Sequence, residues 1–371
     1  MILEVFIICN FILYLLSLIY FLLGTFKKTN IKSLDIKNFS AGVSVILCVR
    51  NGEKSISNIL NDFSKQIYDN DLEFIIVDDD STDNTKLIID KFIINNNNFR
   101  YIHSKSGNSF LNHKKRALDA GINAAKYEIL LFTDVDCRLG NKWVATMALN
   151  FINKDYVIGY SGVRNHSSLV ANFQKLDFLM LMISAFSSSN LGNALASSGQ
   201  NQGYRKSLFF KVNGFNNISH LLQGDDSIFL NVCKKNKTVN VGFSDSLDSF
   251  VSSKSFKSWL DFFSQRVRWA GDANIMWKYN KPFFIIIIST FIANLFCLIF
   301  PIFTIIKFNM IIMLFALKFL LEFLLYKRAT KIFNESFNLA EFIFWFIIQV
   351  PYVVLMGIFS FFQSQLKWKG R

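Results

Sequence analysis

Cysteine is scarce in this sequence and never clustered. The 371 residues include five cysteines, none forming a C-x-x-C pair: Cys9, Cys48, Cys137, Cys233 and Cys297. An odd number of isolated thiols, two of them inside apolar segments, argues against a disulfide framework and against a cysteine-based metal site. We therefore expect buried or incidental thiols and a reducing compartment.

Motifs for binding nucleic acid are also lacking. The chain carries 40 Lys and Arg against 27 Asp and Glu, a formal net charge of +13, which suits nucleic acid, acidic lipids or a phosphorylated substrate. No zinc-finger spacing or aromatic RNA-binding motif accompanies this charge. Much of it flanks apolar segments, at Lys27, Lys28, Lys32, Lys278 and Lys281. Contact with membrane lipids, and not with nucleic acid, is therefore the better interpretation.

The apolar run at the start of the chain is long enough to cross a membrane. Residues 2–23 contain only Glu4 and Asn10 as strongly polar members, and a hydrocarbon core is about 30 Å thick. No basic region precedes the run, and lysines follow it, which argues against a signal peptide and places its C-terminal end in the cytoplasm. We predict a transmembrane helix over residues 1–24.

Three more apolar segments follow near the end of the chain. The segments 283–306 and 340–363 are long enough to span, and 309–326 is a weaker candidate. We predict that residues 281–371 form a C-terminal membrane region with two or three transmembrane or interfacial helices.

Two features complicate the weaker segment. It carries Lys318 and Glu322, which lie four residues apart and could neutralise each other inside a helix bundle. Four spans would also leave the basic tail residues Lys367, Lys369 and Arg371 outside, against the positive-inside rule. The tail returns to the cytoplasm if 309–326 lies in the interface or if one segment re-enters.

Between residues 25 and 280 the apolar runs shorten to strand length. Strands are predicted for VSVILCV at 43–49, EFIIV at 73–77 and EILLFT at 128–133, and a weaker one for RYIHS at 100–104. Helices separate them, the first with an apolar stripe of Ile56, Ile59, Leu60, Phe63 and Ile67. This alternation predicts an α/β domain with a parallel sheet and right-handed crossovers, whose ligands sit at the carboxyl ends of the strands.

Asp134 and Asp136 follow the strand EILLFT. Residues two apart on an extended chain point the same way, so both carboxylates could face one divalent cation that bridges a diphosphate. Two other aspartate pairs have the same spacing, and an exposed acidic turn is the alternative interpretation. The position of this pair at the end of a buried strand favours the functional one.

Seven segments occur together in one order: VSVILCVRNGE, FIIVDDDSTDNT, HKKRALDAGI, LLFTDVDC, GYRKSLFFKVNGF, GDDSIF and QRVRW. Together they resemble the family 2 inverting glycosyltransferases of the GT-A fold over roughly residues 43–270, in particular membrane-anchored bacterial members related to cellulose, chitin and hyaluronan synthases. The resemblance implies a cytoplasmic GT-A domain, residues 25–280, in a multi-pass protein of the bacterial inner membrane. It also implies a nucleoside-diphosphate sugar as donor, in the first instance a UDP-sugar. The implied acceptor is a lipid-linked or other membrane-associated glycan, and the implied cofactor is Mn²⁺ or Mg²⁺.

The same resemblance assigns the donor site. Asp79, with Asp78 beside it, binds the base, and the preceding turn lines the pocket with Arg50, Asn51 and Glu53. Family members usually have a glycine where Asp80 stands, and a third carboxylate near a diphosphate is repulsive unless it points away. We therefore expect Asp80 to be structural.

The segment HKKRALD places Lys114, Lys115 and Arg116 at the start of a helix. There they could contact phosphate together with backbone N–H groups, and Lys115 is the predicted donor contact. A solvated basic helix end is the alternative interpretation. His113 stands where a glycine is more usual, and a lone histidine has no partner spacing for a metal.

The remaining assignments concern catalysis. Asp134 holds the ribose or the metal, Asp136 is the direct metal ligand, and Asp226 is the general base. Asp225 is assigned to the acceptor, and an acidic helix cap is the alternative interpretation of this pair.

The motif QRVRW completes the predicted site. The resemblance implies that Arg268 contacts the donor diphosphate and that Gln265 and Trp269 contact the acceptor. An interfacial helix with Arg and Trp at headgroup depth is the alternative interpretation.

Three functions compete at this point. Addition of one or a few sugars is favoured, processive polysaccharide synthesis is the second, and a catalytically inactive membrane scaffold or donor-binding subunit is the third. The choice of sugar and acceptor depends on pocket shape and on loops such as 161–200. The sequence of these loops does not indicate which sugar or acceptor is used.

Overall fold

The computed structural model describes residues 2–27, 39–164, 168–299 and 308–361. The chain forms two compact units. The helical unit comprises Met1–Lys28, Val163–Leu195 and Ser255–Arg371, and the sheet unit comprises Thr29–Gly162 and Ala196–Lys254. The described residues do not include Lys28, Lys32, residues 301–306 or the basic tail.

Ten strands are described: β1 (Val43–Val49), β2 (Leu72–Asp78), β3 (Phe99–His103), β4 (Ile129–Asp134), β5 (Arg138–Leu139), β6 (Tyr156–Gly159), β7 (Ser161–Val163), β8 (Gln202–Arg205), β9 (Val241–Ser244) and β10 (Val251–Ser253). Seven form one sheet in the order β3-β2-β1-β4-β8-β6-β9, and the other three form a small sheet, β5-β10-β7. In the large sheet only the pairings of β8 with β4 and β6 are antiparallel. The predicted α/β class with a mostly parallel sheet is confirmed.

The described α-helices are α1 (Ile2–Gly24), α2 (Ile56–Ser64), α3 (Thr85–Ile93), α4 (His113–Ala124), α5 (Trp143–Leu149), α6 (Leu169–Asn190), α7 (Lys206–Lys211), α8 (Ser227–Lys234), α9 (Trp259–Tyr279), α10 (Lys281–Ile299), α11 (Phe308–Ile332) and α12 (Leu339–Phe359). Five of them, α1, α6, α10, α11 and α12, are long and apolar enough to cross a membrane.

The core of the sheet unit explains why the short apolar runs are strands. β1 is buried along its length because β2 and β4 flank it and α2 packs against it. Phe63 of α2 stacks on Phe74 of β2 with ring centroids 4.8 Å apart. The predicted stripe of α2 is buried except for Ile67, which lies beyond the end of the helix and is exposed.

Helix α6 corrects the expectation of a loop at 161–200. Its apolar run is broken by Gln174, Lys175 and Asp177, which hid the helix in the sequence, yet all three side chains are buried. Each has a polar partner within the helical unit. Gln174 accepts a hydrogen bond from the Phe256 N–H at 2.8 Å, Lys175 pairs with Glu335 at 3.3 Å, and Asp177 pairs with Arg266 at 2.8 Å. Burial of polar groups is tolerated here because they are paired.

Helix α11 contains the pair that we expected to neutralise itself. Lys318 Nζ lies 2.8 and 3.0 Å from the two carboxylate oxygens of Glu322, and both side chains are almost completely buried. Gln349 of α12 donates a hydrogen bond to Glu322 at 2.5 Å, and the Tyr14 hydroxyl of α1 donates another. The expected neutralisation is confirmed, and three helices meet at this pair.

Candidate active site

Acidic residues collect at one edge of the large sheet. Asp78 ends β2 opposite Val49, and Asp134 ends β4 opposite Cys48, so both carboxylates flank the end of β1. The carboxyl ends of parallel strands share one edge, which is where ligands bind in open α/β sheets.

The turns that follow β1 and β2 are hydrogen-bonded to each other. Asn51 accepts from the Thr82 N–H at 2.8 Å, and Arg50 donates to the Asp79 carbonyl at 2.9 Å. Glu53 accepts from the Asn84 N–H at 3.2 Å. The structure therefore brings the predicted turn residues next to the predicted base-binding aspartates, and their contact with a donor stays a prediction.

Both base-binding candidates are buried. Asp78 accepts hydrogen bonds from the Ser81 N–H at 3.0 Å and from the Tyr101 hydroxyl at 3.1 Å. The Asp79 N–H donates to the Val49 carbonyl at 2.8 Å, which continues the β1–β2 ladder into the turn. The Asp78 carboxylate and the Asp79 backbone are thus held in place by contacts within the sheet unit.

Two residues stand where the resembled family usually has glycine, and both adopt a left-handed backbone. Asp80 has φ +55° and His113 has φ +52°. A non-glycine residue is strained in this region by about 1 kcal/mol. The Asp80 carboxylate lies 3.2 Å from His103 Nε2 and 3.3 Å from Lys105 Nζ, so it has partners within the protein, as expected for a structural residue.

Four residues form what we call the acid cluster: Lys114, Asp134, Asp225 and Asp226. Lys114 Nζ lies 2.9 Å from Asp134 Oδ1 and 3.2 Å from Asp225 Oδ2. Gly199 closes the cluster, because a Cβ added there would lie 3.1 Å from Lys114 Nζ, 3.5 Å from Asp225 and 3.8 Å from Asp226. Residues far apart in the sequence, from α4, β4 and the start of α8, therefore share one site.

Charge and burial set the ionisation of this cluster. Burial alone would lower the pKa of Lys114, but Asp134 and Asp225 together raise it well above its usual value. Burial, followed by the charge of Asp225, raises the pKa of Asp226 to about 6. Lys114 is consequently a permanent cation, and Asp226 is an ionised but basic carboxylate near neutral pH.

Asp226 also caps helix α8. Its carboxylate accepts from the Ser227 N–H at 2.5 Å and from the Gly199 N–H at 3.3 Å. The Ser197 N–H donates to the Ser227 hydroxyl at 3.0 Å, and the Ser227 hydroxyl donates to the Ser197 carbonyl at 2.9 Å. These two hydrogen bonds hold the segment carrying Gly199 against the start of the helix. The acidic-cap interpretation is correct for Asp226. The capping hydrogen bonds also position its carboxylate in the acid cluster.

Asp136 lies on the tight turn after β4. The Cys137 N–H donates to the Asp134 carbonyl at 3.1 Å and closes the turn. Val135 packs against Gly52, where an added Cβ would come within 3.2 Å of it. The turn is thereby fixed beside the turn after β1, with the Asp136 carboxylate half-buried.

A cation at this edge would depend on more than protein ligands. The described ranges contain no group of three or more His, Cys, Asp or Glu side chains that could hold a metal ion. Mg²⁺ and similar hard cations are commonly bound by one or two carboxylates, with substrate phosphates and water filling the other positions. The oxygen ligands of Asp136 and Asp134 fit such a shared site.

The Lys115 side chain does not face the predicted donor site. Its side chain is fully buried, and Nζ donates to the carbonyls of Ile218 at 2.7 Å, Gln223 at 3.2 Å and Leu221. Lys114, one residue earlier, occupies the site instead. The prediction for Lys115 is corrected, because the fold turns that side chain toward the loop before Asp225.

The QRVRW residues lie on α9 in the helical unit. Arg266, which received no role from the sequence, is buried, pairs with Asp177, and stacks 4.2 Å from the centroid of the Trp269 ring. Burial lowers the pKa of Arg268. The donor contact of Arg268 and the acceptor contacts of Gln265 and Trp269 stay predictions.

Family sequence profiles match most of the chain. The one described as Glycosyl transferase family 2 matches residues 44–212, and the one described as Glycosyl transferase family group 2 matches residues 130–359, more than half of the chain. The chain is a family 2 glycosyltransferase. Lys114 lies in the first matched range, Asp225 and Asp226 lie in the second, and Asp134 and Asp136 lie in both.

Curated relatives agree over shorter stretches. Glycosyltransferase GlyG of Streptococcus pneumoniae is 28% identical over 131 residues, which cover 35% of this glycosyltransferase and 42% of GlyG. The poly-beta-1,6-N-acetyl-D-glucosamine synthase of Staphylococcus aureus is 28% identical over 144 residues, 38% and 34% of the two chains. The chain thus matches about a third to two fifths of the length of these relatives.

A solved structure shares the fold over almost the whole chain. The mannosyltransferase PcManGT from Pyrobaculum calidifontis, solved with GDP-Man and Mn²⁺, superposes with a TM-score of 0.59 at 15% identity, covering 96% of this chain and 95% of the other. This likeness supports the predicted GT-A fold together with the apolar helices that accompany it.

The two adjacent lysines should respond differently to substitution. Lys114→Met removes the cation of the acid cluster, and we expect sugar transfer by the folded protein to fall about 100-fold. Lys115→Met removes a donor from the carbonyls of Ile218, Leu221 and Gln223, of which Ile218 keeps the Leu221 N–H at 3.1 Å, and we expect a stability loss of about 2 kcal/mol. Turnover and thermal unfolding of both variants check this, and equal effects on both measurements would contradict the assignment.

Proposed function

We propose that this glycosyltransferase moves a sugar from a nucleoside diphosphate to a hydroxyl group of a membrane-associated acceptor, with inversion at the anomeric carbon. The observation that carries the proposal is the acid cluster, in which Lys114 draws Asp134 and Asp225 together beside Asp226. The proposed donor is a UDP-sugar and the proposed acceptor is lipid-linked or another membrane glycan. The proposed setting is the cytoplasmic face of a bacterial inner membrane.

Asp226 acts on the acceptor in this proposal. Its carboxylate takes the proton of the attacking hydroxyl while the new glycosidic bond forms at the anomeric carbon. The bond from that carbon to the diphosphate oxygen breaks on the opposite face, and the nucleoside diphosphate leaves. A pKa of about 6 keeps the carboxylate ionised at neutral pH and makes it a stronger base than an ordinary aspartate.

Residues on the other side of the cluster act on the donor. Asp78 and Asp79 hold the base, with the turn from Arg50 to Glu53 beside them. Lys114 places a positive charge next to Asp134, where it stabilises the charge that develops on the diphosphate. Arg268 is proposed to add a second contact to the diphosphate.

A divalent cation completes the proposed site. Asp136 would hold it, with Asp134 beside it, and a bound Mn²⁺ or Mg²⁺ would stabilise the leaving diphosphate as a Lewis acid. The Mn²⁺ and GDP-Man of PcManGT support the use of a cation and a nucleotide-sugar by a chain of this fold.

Donor binding tests the cation. At a donor concentration of about 100 times Kd, the donor with Mn²⁺ should raise the melting temperature of the purified protein by about 5 °C. Asp136→Ala should abolish the rise. Asp71→Ala is the matched control, because Asp71 belongs to another D-x-D spacing and is exposed. A UDP-sugar and GDP-sugar panel identifies the base, and an unchanged rise in Asp136→Ala would refute the metal role.

Processive synthesis is the second candidate. The similarity to a poly-beta-1,6-N-acetyl-D-glucosamine synthase and the QRVRW motif favour it. We propose single or short addition, because the three membrane-length helices after residue 280, α10, α11 and α12, are few for a polymer channel. The size distribution of radiolabelled products separates the two.

A further inference from the structure

An open cleft of about 340 Å³ lies in the helical unit, at the C-terminal end of α11 and the loop that follows. Its lining is Phe323, Lys327, Thr330, Lys331, Glu335 and Phe337. The rings of Phe323 and Phe337 approach each other with centroids 6.0 Å apart, and Phe337 also stacks on Tyr326 at 5.5 Å. The cleft therefore joins an aromatic wall to two lysines.

The cleft carries a net positive charge. Lys327 and Lys331 are four residues apart on one helix face, both are exposed, and neither forms an ion pair with a described residue. Like charges at this spacing repel unless an anion lies between them. The one carboxylate of the lining, Glu335, lies 3.3 Å from Nζ of the buried Lys175, which offsets its charge. Three lysines and one glutamate leave a net charge of +2.

The cleft also lies where lipid headgroups would meet the protein. Residues Asn309–Ile332 are apolar enough to span a membrane, and the two lysines fall in the last turns of that stretch. Arg328, on the same turns, donates to the Thr25 carbonyl at 2.8 Å and lies 4.3 Å from the Phe26 ring, just beyond the end of α1. Two membrane-length helices thus end together at a basic face, which is the cytoplasmic face by the positive-inside rule.

We infer that this cleft binds the phosphate-bearing headgroup of an anionic membrane lipid. The ammonium groups of Lys327 and Lys331 contact the phosphate, while Phe323 and Phe337 contact the glycerol and the first methylenes of the chain. Long lysine side chains at the end of an apolar helix reach the headgroup region in this way. The assignment does not depend on the transfer chemistry, so a failure of either leaves the other standing.

Lipid binding by the full-length protein in detergent tests this inference, with phosphatidylglycerol as the probe and native mass spectrometry as the readout. The test variant is Lys327→Gln/Lys331→Gln. The matched control is Lys278→Gln/Lys281→Gln, which removes two exposed lysines at another boundary of an apolar helix. Each lysine near an anionic headgroup contributes about fivefold, so the test variant should bind at least about tenfold more weakly than the control.

Three results decide whether the cleft is a specific lipid site. Selective loss in the test variant, reproduced by weaker binding in Phe337→Ala, supports a lipid site. Equal losses in the test and control variants mean diffuse attraction and overturn the inference. If inorganic phosphate competes with the lipid at equal concentration, the cleft is a site for soluble anions and the lipid assignment is wrong.

Discussion

The Asp226→Asn variant should transfer sugar about 10³-fold more slowly than the natural protein while it still binds the donor. General base catalysis by a positioned side chain contributes about 10² to 10⁴ in rate, and an amide cannot accept the proton of the acceptor hydroxyl. Asparagine caps helices about as well as aspartate, so α8 and its bond network should be retained. Turnover of a radiolabelled nucleotide-sugar on membranes, with donor binding measured in parallel, checks this prediction.

The same variant separates catalysis from helix capping. If Asp226 were only a cap, Asp226→Asn would be nearly as active as the natural protein, and that result would end its assignment as the base. The pH profile gives an independent readout. Because the pKa of Asp226 is raised to about 6, its carboxylate is lost as the pH falls through that value. We therefore expect kcat/KM of the natural protein to fall about tenfold per pH unit below 6, and the residual rate of the variant to lack this limb.

The sheet could be predicted from the sequence because its signal is local. Each central strand is a short β-branched run with polar residues after it, and burial between neighbours requires such a run. The acidic residues then follow from chain geometry, since the ends of parallel strands share one edge. Asp78 and Asp134 lie there beside β1 in the structure.

The choice between Lys114 and Lys115 could not be made in this way. Both sit on the first turn of α4, and helical spacing alone does not say which one faces the acids. Lys115 faces away from the acids because it donates hydrogen bonds to the carbonyls of Ile218 and Gln223, about a hundred residues later in the chain. A prediction from one sequence has no access to that long-range contact.

Helix α6 was missed for a related reason. Hydropathy treats Lys175 and Asp177 as breaks in an apolar run, because it counts each charge as unpaired. Their partners, Glu335 and Arg266, come from distant parts of the helical unit. Hydropathy located the other apolar helices because their few charges lie near the ends or, as in α11, form a pair within one helix.

Removing one partner of the buried pair in α11 should destabilise the protein strongly. Lys318→Met leaves Glu322 as a buried charge whose remaining donors among the described residues are Gln349 and Tyr14. Loss of one partner of a buried pair typically costs about 3 to 5 kcal/mol. The exposed pair of Lys86 and Asp90 has the same spacing, so Lys86→Met is the matched control, with an expected cost of about 0.5 kcal/mol or less. Thermal unfolding of the detergent-solubilised proteins measures both.

The double variant Lys318→Met/Glu322→Met identifies the cause. If the cost of Lys318→Met comes from an uncompensated charge, removing the second charge should recover most of the lost stability, because apolar residues of similar volume often replace a buried ion pair without loss. If it comes from lost packing around α1, α11 and α12, the double variant should be no more stable than the single one. We expect recovery, since the methionine side chain retains most of the volume of both residues and α11 and α12 already meet through aromatic contacts, such as Phe319 against Phe346 at 5.0 Å.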